Sequence, residues 1–120
     1  MKARYLFVVA ALAVWGTAEA IDDDAAKVEL SQAITSVQAA EHDDAARYAP
    51  ADLDEAHAML GSAEHAADDH AWSDVALYAE RAKVDGDLAS ARSREHRAEA
   101  ATAEIQRTVA ALRAQNGGAP

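Results

Sequence analysis

Apolar positions recur at intervals of three and four along most of the chain, the spacing that gathers side chains onto one face of an α-helix. Ala26, Leu30, Ala33, Ile34, Val37 and Ala40 form the first stripe. Asp22, Asp23 and Asp24 stand ahead of it, where negative charge complements a helix start, so residues 22–41 are expected to be a first amphipathic helix. It should stop near His42-Asp43-Asp44. Tyr48-Ala49-Pro50 is the next punctuation, because proline suits a first helical turn and breaks a helix that runs through it. The second stripe is Leu53, Ala56, Leu60, Ala63 and Ala67, with Asp52 and Glu55 spaced as a capping box and Gly61 as a packing notch. After the polar turn Asp68-Asp69-His70, the positions Trp72, Val75, Ala79, Ala82, Gly86 and Ala89 open a third helix. No proline or turn cluster interrupts residues 71–115, so one helix of about 40 residues and about 60 Å is predicted, with Asp85-Gly86-Asp87 its single candidate break. Nothing alternates with period two over a useful length, and no strand is expected.

These elements predict an all-α fold, a three-helix antiparallel bundle with a long third helix. Asp44-Ala45-Ala46-Arg47-Tyr48-Ala49 and Asp74-Val75-Ala76-Leu77-Tyr78-Ala79 look like weak copies at an offset of 30. The second copy, with Trp72 before it and Ala82 after it, has the spacing of the second helix of a tetratricopeptide unit, which gives the last two helices a tetratricopeptide-like hairpin character. Alanine stripes imply close packing, with Ala56, Ala63, Ala79, Ala82 and Gly86 at the contacts. Tyr48, Trp72 and Tyr78 are expected to fill the junction between helices two and three.

The third helix carries a further pattern. Val84, Leu88, Ala91, Glu95, Ala98, Thr102, Ile105, Val109 and Leu112 alternate by four and three, the spacing of a coiled-coil seam. Its last part extends past the reach of the first two helices, which leaves Ile105, Val109 and Leu112 exposed. These three, with Arg107 and Arg113, are the candidate partner-binding residues, for a protein partner or for self-association.

Composition sharpens this picture. Of 120 residues 34 are alanine, six are aromatic and none is cysteine, so the core is thin and no disulfide can hold it. At the N-terminus, Lys2 and Arg4, the apolar stretch from Tyr5 to Trp15 and Ala18-Glu19-Ala20 follow the order of a secretory signal with an A-x-A cleavage site. The stretch is shorter than the ~20 residues that span a bilayer. Residues 1–20 are therefore expected to be removed after Ala20, leaving a periplasmic helical domain over 21–115 and a disordered tail over 116–120. The mature chain is expected to have no transmembrane segment, and Ile21 at its start offers no thiol for lipidation.

The 21 acidic residues outnumber the 11 basic ones, which argues against nucleic acid as a partner. Charge is also uneven: 15 acids and two bases lie in residues 21–80, whereas residues 81–120 hold five acids and seven bases, with Arg92, Arg94, Arg97, Arg107 and Arg113 available to face acidic helices of a second copy. Glu64 to His70 crowds five potential metal ligands into seven residues, with His57 upstream. The spacing is poor, because a two-histidine face wants i and i+4, whereas His65 and His70 are i+5 across a helix end. His65, Asp69 and His70 are the alternative reading, a metal- or pH-responsive binding protein; the main reading has no metal and no cofactor. No nucleophile elbow or glycine-rich phosphate loop is present, and Ser31, Ser36, Ser62, Ser73, Ser90 and Ser93 stand in helical segments without an evident base, so no enzyme is expected.

Taken together, Ala45-x-x-Tyr48-Ala49-Pro50, Leu53-x-x-Ala56-x-x-x-Leu60-x-x-Ala63 and Trp72-x-x-Val75-x-x-Tyr78-Ala79-x-x-Ala82-x-x-Asp85-x-x-x-Ala89 resemble a bacterial envelope family of unknown function, domain family 4398, over roughly residues 25–95. The resemblance implies an exported, alanine-rich helical domain. Many members of that family are lipoproteins, and some place the domain ahead of an outer-membrane-protein-A-like peptidoglycan-binding domain. It implies no particular activity.

Overall fold

A computed structural model describes residues 22–118. Four helices account for nearly all of them: α1 (Asp23–His42), α2 (Ala45–Tyr48), α3 (Pro50–Asp68) and α4 (Trp72–Gly117). No strand occurs among the described residues, and the all-α expectation holds. The expected signal segment and its cleavage point lie outside the described residues, as do residues 119 and 120 of the expected tail. Among the described residues no helix is long and apolar enough to cross a membrane.

The expected set of three helices becomes four because the chain winds one extra turn between α1 and α3. Asp44 adopts the left-handed conformation (φ 62°, ψ 31°), which ends α1 and redirects the chain into α2. Ala49 is then swung out of helical geometry (φ −144°), as the residue before a proline must be, and Pro50 starts α3. Ala49 occupies the cap position without a side-chain hydrogen bond. Asp52, expected to cap, instead accepts a 2.6 Å bond from Arg92 Nη1 on α4. At the other end of α3, His70 is left-handed (φ 59°) and a pair of backbone bonds closes the helix, His70 N–H to the Ala67 carbonyl at 3.0 Å and Ala71 N–H to the Ala66 carbonyl at 2.9 Å. The two sequence copies at an offset of 30 therefore occupy unlike places: Asp44 to Ala49 forms a turn and α2, whereas Asp74 to Ala79 lies inside α4.

The core is built in three layers of small side chains. Ala26 at the start of α1 meets Ala66 at the end of α3 and Val75 at the start of α4. Ala33, Ala63, Ala79 and Ala82 form the middle layer, and Val37, Ala40, Leu53, Ala56 and Ala89 the far one, joined there by Ala45 and Ala49. α1 thus runs parallel to α4 and α3 runs antiparallel to both. Both shorter helices pack mainly along α4 and only lightly on each other.

Alanine at so many contacts brings the helix backbones together and leaves no room for rings. Trp72, Tyr48 and Tyr78, expected inside, are only half-buried. Trp72 and Tyr78 lie over the edges of the alanine layers. Lys27 Nζ sits 5.2 Å from the Trp72 ring centre and also bonds Asp23 at 2.9 Å, and Arg47 sits 5.1 Å from the Tyr48 ring. The packing notch is also elsewhere than expected in α3: Gly61 is exposed with nothing within 4 Å of a notional Cβ, and Gly86 is the glycine at which α1 closes on α4.

α4 is continuous through Gly86 and runs for 46 residues, about 69 Å, ending two residues beyond the expected stop. Ser93 is its last buried residue. From Ala98 to the end, every described residue except the half-buried Ala103 is exposed, a free arm of about 20 residues and about 30 Å.

Candidate functional site

Where α4 leaves the body, it holds the α1–α2 turn through a group of polar side chains. Asp43 is the centre of the group. Ser90 donates its hydroxyl proton to the Asp43 carboxylate, Arg94 Nε reaches the same oxygen at 2.9 Å, and Ser93 donates to the Asp43 backbone carbonyl. Arg94 also bonds Ser90 Oγ at 2.8 Å, Arg97 lies 3.6 Å from Asp44, and His96 Nδ1 lies 2.6 Å from the Tyr48 carbonyl. The Ser90 hydroxyl, then the Arg94 guanidinium, hold the Asp43 carboxyl below its usual range. One turn earlier in α4, the buried Ser36 hydroxyl of α1 lies 2.8 Å from the Lys83 carbonyl and 2.5 Å from Asp87 Oδ1.

This arrangement changes the use of the arginines. Arg92, Arg94 and Arg97, offered by the sequence to a second copy, are each engaged within the chain by Asp52, Asp43 and Asp44. Among the described residues, Arg107 and Arg113 enter no such pair. Sequence reasoning missed the clamp because serine reads as a polar surface residue. The available signal was phase, since Ser90 and Ser93 continue the three-and-four spacing of Ala79, Ala82 and Gly86.

The seam is where the structure goes furthest beyond the sequence. Ile105, Val109 and Leu112 are exposed as expected, but so are Leu77, Val84 and Leu88 on the packed half of the same helix; exposure across the six runs from 38% at Val109 to 64% at Ile105. The inward face of α4 is Val75, Ala79, Ala82, Gly86, Ala89 and Ser93. Val84 follows Ala82, and Leu88 follows Gly86, by two residues, about 200° around the helix, which turns both directly away from α1 and α3. The seam therefore runs along the outer face of the body, and its spacing continues onto the arm through Ala91, Glu95, Ala98 and Thr102, with no large apolar side chain between Leu88 and Ile105. Shallow grooves flank its first half, one bordered by Glu29 and Gln32 of α1 and one by Glu55 and Met59 of α3.

The histidines are dispersed. His65 Nε2 lies 3.7 Å from Asp69, whereas His70 turns its ring onto Trp72, with 5.6 Å between centres, and its Nδ1 lies 3.1 Å from the Asp68 carbonyl. His57 pairs with Glu41 at 2.8 Å, joining α3 to α1. Among the described residues no group of three or more His, Asp or Glu is placed to hold a metal ion. His65, Asp69 and His70 are thus not gathered into one site, because the left-handed turn at His70 carries its ring away.

No curated protein and no solved structure matches the chain. A family described as a domain of unknown function, DUF4398, matches residues 28–105, from the second turn of α1 to Ile105 on the arm. The matched span takes in the alanine core apart from Ala26, the Asp43 clamp and most of the seam, and the chain belongs to the DUF4398 family.

Proposed function

We propose that this protein is a non-catalytic interaction or scaffold module of the bacterial cell envelope, which binds a protein partner through the outer face of α4. The observation that carries the reading is the length of the exposed seam: six large apolar side chains at coiled-coil spacing along one helix, facing water. Large apolar residues spread singly over a surface need no explanation, but a stripe in one phase, over about three turns from Leu77 to Leu88 on the body and again from Ile105 to Leu112 on the arm, is what a helix face presents to a partner. The arm adds to this, because most helical stability in proteins comes from tertiary packing of a helix face, and almost every described residue of the arm is exposed.

In this reading α1, α3 and the first half of α4 serve as one antiparallel three-helix bundle whose task is to position the arm. The tetratricopeptide likeness is confined to the α3–α4 hairpin. Export to the periplasm is supported by the Lys2 and Arg4 start, the apolar stretch and Ala18-Glu19-Ala20.

The test is a photo-reactive residue installed in cells at Ile105, with Ala100, on the opposite side of the arm, as the comparison. A discrete adduct from position 105 in the envelope fraction, weak or missing from position 100 and lost with Val109→Asp, is expected. Equal adducts from both positions, or none from either, would contradict the reading.

A further inference from the structure

The charges along the seam discriminate between ways of covering it. Resting on the partner-binding role given to this surface, we propose that its occupant is a second copy of this chain, with the two α4 helices antiparallel and Leu88 of each copy packed against Ile105 of the other.

The seam repeats every seven residues, with Arg81, Leu88, Glu95, Thr102 and Val109 in one row and Val84, Ala91, Ala98, Ile105 and Leu112 in the other. A strict seven-residue repeat drifts slowly around a straight helix, and a helix that wraps gently on it stays in contact along its length. Large apolar side chains occupy the two ends of the seam, and Ala91, Ala98 and Thr102, with Glu95 among them, occupy its middle. In the register that sets Leu88 against Ile105, Val84 meets Val109, Arg81 meets Leu112, Ala91 meets Thr102 and Glu95 meets Ala98. Each large pair occurs twice by symmetry, and the small Ala91, Ala98 and Thr102 let the helices approach in the middle, where each Glu95 meets an alanine.

A parallel pairing is opposed by charge. It sets Glu95 on Glu95 and Arg81 on Arg81 across the seam, and like charges directly opposed in such a position select against it. It also brings two acidic bodies side by side, with Glu29, Glu55, Glu80 and Asp85 along the rims. The antiparallel pairing separates the two Arg81 side chains by more than about 40 Å, parts the acidic bodies, and moves the two Glu95 side chains from direct opposition to about one turn apart. Each body then faces the other copy's arm, on which Glu99 and Glu104 balance Arg107 and Arg113. Arg113 comes to the level of Glu80, beside the groove that Glu55 and Asp85 border. The two bodies lie at opposite ends of the shared seam and do not collide.

The chain has no cysteine, so thiols can be placed without background. Leu88→Cys and Ile105→Cys variants would be purified, checked for unchanged helical circular dichroism, and treated with a short thiol-to-thiol crosslinker alone and mixed. The expected result is a covalent dimer from the mixture and none from either variant alone, because like positions lie about 25 Å apart in this register. A dimer from Leu88→Cys alone overturns the antiparallel arrangement. No dimer under any condition overturns the second copy as occupant. The in-cell adduct at position 105 then separates the two failures: if another protein is captured there, partner binding stands without self-association, and if nothing is captured, both fall.

Discussion

Gly86 of α4 lies so close to Ser36 of α1 that a Cβ built on it would stand 2.8 Å from the Ser36 hydroxyl oxygen, 3.0 Å from its carbonyl carbon and 3.1 Å from the Val37 nitrogen. Two of those atoms are backbone and cannot rotate aside. Gly86→Ala should therefore force α1 and α4 apart, at an overpacking cost of about 1 to 3 kcal/mol against about 1 kcal/mol gained in helix propensity. At Gly61, where a Cβ meets nothing, Gly61→Ala should instead stabilise by about 0.5 to 1 kcal/mol. Denaturant midpoints of the two variants should move in opposite directions, and a shift of the same sign would mean that the helices do not meet at Gly86.

The alanine layers make a related demand. Ala79 and Ala82 are fully buried between α3 and α1, so Ala79→Leu or Ala82→Leu should each destabilise by about 1 to 3 kcal/mol. Unchanged unfolding midpoints in both would place those positions at the surface.

Asp43 links the turn to α4, and its carboxyl is held below the usual value of 3.8 first by the Ser90 hydroxyl and then by Arg94. A carboxyl depressed on folding contributes stability that is complete above its unfolded pKa and is lost as pH falls through the folded one. Unfolding midpoints of the wild type should therefore fall as the solution is acidified below about pH 4, and Asp43→Asn should flatten that part of the profile. An acid limb of equal steepness in Asp43→Asn would show that the clamp does not depend on the charge.

The arm supplies a dynamic prediction. Among the described residues every position beyond Ala98 except Ala103 is exposed, so the arm's helix is maintained by its own propensity unless a partner covers it. Amide exchange in residues 98–117 should be slow at high protein concentration and speed up on dilution, while residues 75–90 of the body keep their protection throughout. Exchange that does not change with concentration would indicate that the arm is not covered by self-association.

Most of this architecture could be read from spacing alone. Alanine, leucine and valine at three and four locate α1, α3 and α4, and Pro50 and the Asp68-Asp69-His70 turn locate their limits. Four-residue α2 carries no period and was invisible. The aromatics misled, because ring size suggests a core that alanine-spaced backbones cannot admit. Ser36, Ser90 and Ser93 misled in the opposite sense: a hydroxyl that finds a carboxylate or a carbonyl is at home in an interior, but its partner, here Asp43 or Asp87, lies about 50 residues away in sequence and cannot be anticipated from either position alone. The seam was legible as a repeat. Its exposure along the packed half of α4 was not, since that depends on which side α1 and α3 take.

The claim that the outer face of α4 is a contact surface is tested most directly by light-scattering mass. The measurement compares residues 21–120 of the wild type with an Ile105→Asp, Val109→Asp double variant of the same length across a concentration series, at low and high salt. Both residues are exposed, so the variant should fold with unchanged stability. The wild type should show twice the single-chain mass, with only modest loss at high salt because Arg92, Arg94 and Arg97 are already engaged within each chain, and the variant should be monomeric. A wild type that stays monomeric at every concentration, or a variant that dimerises as the wild type does, would contradict the account.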